Sequence, residues 1–108
     1  MGSDWPVSSP DPIAGIHVAV NRILDDAPAG TDPLDPRQSL SLPVAVAAYT
    51  AGSAWANRVE HLSGTIRPGM RGDLVVLDRD LFDGPPMHIA RARVARTYVD
   101  GRLVHQSD

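Results

Sequence analysis

Residues 91–106 read RARVARTYVDGRLVHQ. Val94, Arg96 and Tyr98 fall on one face of this run, and Ala95, Thr97 and Val99 on the other. That is the period-two pattern of a strand. Asp100-Gly101 separates it from a second short run, and Asp-Gly between two such runs is a strong signal for a two-residue hairpin. The expectation is antiparallel pairing of about 93–99 with about 102–106 through a type I′ turn, which needs positive φ at both central residues. Working upstream, GTIRPGMRGDLVVLD at 64–78 reads as a strand, a Pro-Gly turn and a second strand rich in Val and Leu.

The N-terminal half has a different period. In the stretch SSPDPIAGIHVAVNRIL, Asp11 suits an N-cap and Pro12 the first helical position. Ile13, Ile16, Val20 and Ile23 follow at helical spacing, with His17 bordering the apolar face as a half-buried packing residue. DDAPAGTDPLDP at 25–36 holds three prolines and four aspartates and reads as a solvated loop; it lacks the glycine and closing glutamate of an EF-hand. In the next segment Ser41 is placed to cap a helix with Pro43 in its first turn. Residues 44–49 are apolar nearly all round, the mark of a helix buried on several sides. Thr50 and Gly52 interrupt that helix before a second short piece, and Tyr49 and Trp55 read as core anchors. Helices first and strands afterwards make the fold class α+β: two or three N-terminal helices followed by a small antiparallel β region.

The chain has 108 residues, ten of them Pro and nine Gly, a net charge of −3 and no cysteine. One domain with a modest core is the expectation. All ten basic residues are Arg, interleaved with acids, and the acidic balance argues against a nucleic-acid partner. No apolar run approaches the ~20 residues of a membrane span. The N-terminus lacks the basic and apolar regions of a secretory signal, so a cytoplasmic location and no membrane partner are expected.

Read residue by residue, the chain contains no complete active site. His17, His61, His88 and His105 form neither H-x-H nor H-E-x-x-H, and a catalytic zinc takes about three protein ligands plus water. There is no G-x-S-x-G elbow, P-loop or G-x-G-x-x-G.

Four stretches in order nonetheless carry a resemblance: GSDWPV with the DP that follows it, SLPVAVAAYTAGSAWA, GTIRPGMRGDLVVLDRDLF and VARTYVDGRLV. Together they resemble the C-terminal end of a metal-dependent amidohydrolase, in the branch resembling N-substituted formamide deformylases. The chain departs from the family at Met70 and Gly72, where Lys and Ala are usual.

The resemblance implies the tail of a (β/α)₈ barrel, an architecture that takes about 250 residues. It makes 1–60 the remnant of the barrel's C-terminal end and 61–108 the C-terminal part of a small β-sandwich. It also implies one or two divalent metals, zinc being expected, in the full-length enzyme. Asp4 matches the family's aspartate at the end of the eighth strand, which binds the metal and relays a proton from the activated water to the leaving amine. The family's H-x-H, its bridging Lys or Glu and its two later His ligands have no counterpart here, so no metal is expected on these residues alone. The implied reaction is hydrolysis of carbon–nitrogen bonds other than peptide bonds in a small amide-type substrate. The alternative is a non-catalytic α+β module that works by association. Strand edges and apolar faces without partners lead us to expect a homodimer.

Overall fold

A computed structural model describes residues 1–108. Its C-terminal half is a three-stranded antiparallel sheet of β1 (Leu74–Leu77), β2 (Val94–Val99) and β3 (Arg102–Gln106), with β2 in the centre. The β2–β3 hairpin forms as the Asp-Gly pair predicts. Val99 pairs with Arg102, and Asp100 and Gly101 have φ of 52° and 75°, both positive as the turn requires. Two bulges interrupt the ladders, one where Val76 pairs with Arg96 but Leu77 with Val94, the other between Thr97 and Tyr98. They break the simple two-face alternation expected along β2, since a bulge turns the following side chains to the other face.

The strand expected over 64–67 does not form. That segment is an irregular stretch ending in the Pro68-Gly69 turn, and β1 begins only at Leu74. A backbone bond explains part of this: Arg71 N–H donates to the Leu62 carbonyl at 2.8 Å, turning the segment back on itself instead of along a neighbouring strand. The β region is thus a single sheet.

The N-terminal half is helical. α1 (Pro12–Asn21) starts where Asp11 Oδ1 accepts the Ile13 N–H at 2.8 Å. It stops at Arg22, left-handed at φ 58°, whose N–H donates to the Val18 carbonyl. α2 (Leu42–Tyr49) follows the 25–36 loop, with Ser41 at its N-cap position but making no side-chain capping bond. Thr50 then breaks the helix at φ −112°, ψ −93°, and α3 (Ala51–Ala56) begins. The break is local: the Thr50 hydroxyl donates to the Val46 carbonyl at 2.8 Å, a back-bond that competes with helix continuation.

The core lies where α1, α2 and a 3₁₀ helix at Pro86–Arg91 meet, built on Ile13, Ile16, Ala45, Ile89 and Ala92. The 3₁₀ helix carries no signal in the sequence beyond two prolines, yet it brings Ile89 to 2% exposure. Burying such a side chain is worth about 1.5–3 kcal/mol. Asn21 ties the same junction, its Nδ2 donating to the Pro86 carbonyl at 3.0 Å.

Three expectations about burial change. His17 is not half-buried but 1% exposed. α2 is not enclosed: it packs against α1 along one face, so Ala45 is buried while Val44 stays exposed. Trp55 is no core anchor, at 72% exposed, because α3 is only six residues long and turns its buried side, Ala54, toward Gly64. Tyr49 does pack on the core, and Gly15 is what admits it: a Cβ there would lie 1.9 Å from the tyrosine oxygen.

Candidate functional site

Asp4 stands in a tight turn over residues 4–7. Its carbonyl accepts the Val7 N–H at 2.8 Å. Its φ of 55° lies in the left-handed region, where a non-glycine residue sits at a cost of about 1 kcal/mol or more. The Ser8 hydroxyl donates to the Ser3 carbonyl, closing the turn from outside. Ser9 works in the opposite direction: its Oγ accepts the Asp11 N–H at 3.2 Å, next to the cap of α1. The sequence reading singled out Asp4 and missed both serines, although Ser flanking a Pro-containing turn is a known source of side-chain-to-backbone bonds. On the other side of the turn, the Met1 ammonium reaches the Ala48 carbonyl of α2 at 3.3 Å.

The Asp4 carboxylate is exposed and free of ion pairs. None of the four histidines joins it, and no three His, Asp or Glu side chains converge to hold a metal ion. His17 is in the core, and its burial lowers its pKa against the smaller opposing effect of Asp25. Asn21 Nδ2 lies 3.2 Å from Nδ1, leaving Nε2 buried without a partner. A catalytic zinc takes about three protein ligands, so one aspartate can fill one corner of such a site and not the whole of it.

A concavity of about 780 Å³ lies elsewhere, between α2–α3 and β1. Asp4 does not line it; Tyr49, Ser53, Asn57, Asp73 and Val75 do. Its one carboxylate is committed to structure. Asp73 Oδ1 accepts the Asp100 N–H at 2.8 Å, and that bond holds its pKa below the usual carboxylate range. Asp78 is likewise held down, to about 2, by Arg79 and by the Arg93 N–H at the far end of β1. Both acids staple the sheet. The groove therefore offers shape but no acid–base pair.

Comparison with known proteins places the chain in a family. The model of the Amidohydrolase family matches residues 1–105. The chain is similar to Protein LONG AFTER FAR-RED 3 of Arabidopsis thaliana, 32% identical over 105 residues that cover 97% of this chain and 17% of the relative. It is similar to the N-substituted formamide deformylase of Arthrobacter pascens, 34% identical over 98% of this chain and 19% of the relative. A third relative, amidohydrolase YtcJ of Bacillus subtilis (strain 168), is 33% identical over 97% of this chain and 20% of its own length. The chain thus spans about a fifth of the curated relatives it matches. No solved structure matches it. A match that begins at the Asp4 turn and runs unbroken through the β2–β3 hairpin leaves no doubt about kinship: the chain belongs to the amidohydrolase family.

Proposed function

We propose that this chain serves a metal-dependent hydrolase of carbon–nitrogen bonds other than peptide bonds, and that Asp4 is the residue it contributes to the chemistry. The observation that supports this reading is the position of Asp4. Within a family match over residues 1–105, it is an exposed carboxylate held at the tip of a closed turn with no partner of its own. Its place is one corner of a divalent-metal site, zinc by expectation, whose other donors lie outside these residues. A carboxylate in that position can accept a proton from the attacking water and pass it to the departing amine. Small amides of the N-substituted formamide type are the substrates suggested by one relative's name. Family membership favours this reading over a non-catalytic association module.

The test is a chimera. The matching fifth of the Arthrobacter deformylase is replaced by this chain, and hydrolysis of an N-substituted formamide is measured. The chimera should turn over, and Asp4→Asn should cost at least 100-fold in kcat, on the order of a lost general acid–base group. The chain by itself, purified without chelator, should carry no stoichiometric zinc and hydrolyse no formamide. An active chimera indifferent to Asp4→Asn would refute the assignment of Asp4. Zinc bound by the chain alone, with hydrolysis, would refute the shared site.

A further inference from the structure

We propose that Ser8 is a positioning residue for Asp4: its hydroxyl, donated to the Ser3 carbonyl, keeps the 4–7 turn closed and the Asp4 carboxylate at its tip. The proposal rests on the reading of Asp4 as the carboxylate delivered to the active site.

The argument is one of competing small terms. Asp4 occupies a left-handed conformation that an L-residue leaves readily unless something holds it there. Packing does not hold it. Trp5 and Val7, the large side chains of the turn, are 69% and 81% exposed, and Asp4 itself is exposed. One internal backbone bond, from Val7 N–H to the Asp4 carbonyl, is all the turn makes within itself. Only the Ser8 hydroxyl spans it, joining the residue before Asp4 to the residue after the turn. Ser8 is also where the turn meets rigid structure, because the next serine bonds the Asp11 N–H and Asp11 caps α1. The pair of serines thus splits its work. Ser9 fixes the start of the helix, and Ser8 ties the aspartate's turn to that fixed point. A flexible turn would present the carboxylate over a range of positions, whereas catalytic groups need placement to a fraction of an ångström.

The test is ¹⁵N relaxation on the full chain. In the wild type the amides of Asp4, Trp5 and Val7 should show order parameters near those of a rigid backbone, about 0.85. Ser8→Ala should drop them below about 0.6, the flexible range, while the amides of α1 keep their values. Ser8→Thr, which retains the hydroxyl, should restore them. Asp4→Asn should leave the order of the turn unchanged, because the bond in question does not use the carboxylate. A turn already mobile in the wild type, a Ser8→Ala turn that stays rigid, a failure of Ser8→Thr to restore order, or a loss that spreads into α1 would each overturn the proposal. The chimera's dependence on Asp4 is read separately, so failure of the catalytic reading and failure of the clamp give different results.

Discussion

At the scale of single residues, the core is decided by a histidine that the sequence presents as a border residue. His17 is buried with Nε2 unpartnered, and leaving a buried polar group unsatisfied costs about 1–3 kcal/mol. Burial pushes its pKa below the usual histidine value of 6.5, with Asp25 opposing by charge. The folded state therefore binds fewer protons than the unfolded state just below that value. Stability is full above pH 6.5 and is lost as pH falls below it, until the folded histidine itself takes a proton. Urea unfolding at pH 8 and pH 5 should show the wild type weakening at the lower pH, and His17→Leu should lose most of that difference. An equal pH dependence in the two proteins would show that His17 does not set it. Spacing could place this residue beside the apolar face, but not show that a 3₁₀ helix some seventy residues later would pack against α1.

At the scale of elements, the hairpin was legible because its turn is local. Two consecutive positive φ values demand Gly or a short polar residue, and Asp100-Gly101 supplies both. What holds the turn to the rest of the sheet was not legible. Asp73 accepts the Asp100 N–H, and Gly101 N–H donates to the Gly72 carbonyl at 3.0 Å. Gly72 is needed for this close approach: a Cβ on that residue would lie 2.8 Å from the Gly101 nitrogen. Gly101→Val should destabilise the fold by more than ~1 kcal/mol, since a β-branched residue is strongly disfavoured at φ 75°. An unchanged midpoint in thermal unfolding would show that the turn can relax at no cost.

For the whole molecule, the decisive feature is how little is buried. Seven of 108 residues are buried, and the radius of gyration is 14.8 Å against roughly 13 Å for a compact domain of about 100 residues. Both outer edges of the sheet, along β1 and β3, lack a neighbouring strand, and Val44, Trp55, Ile66, Val75 and Val104 are exposed. No helix is long and apolar enough to cross a membrane. Free edges and exposed apolar groups are what edge-to-edge pairing uses, and we expect the chain to dimerise in this way. The 25–36 loop is tied at its far end, where Leu34 and Arg22 exchange bonds through the backbone and the Arg22 Nε, so pairing of strands is favoured over exchange of a helix. Sedimentation equilibrium at micromolar concentration should report a dimer. A monomer with cooperative unfolding would show that the exposed surface is tolerated as it stands.

The sequence by itself determined what depends on neighbours in the chain. It placed the Asp11-Pro12 start of α1, the interruption at Thr50, the Asp100-Gly101 hairpin and the four motifs that carry the family, because caps, turns and short motifs are set by residues a few positions apart. Only the tertiary structure decided what depends on distant contacts. It buried His17, left Trp55 in solvent, unmade the strand over 64–67 and closed the Asp4 turn with Ser8. Each of these outcomes turns on which surface meets which. That is fixed by the sum of burial and hydrogen bonding over the whole chain, and no local pattern encodes it.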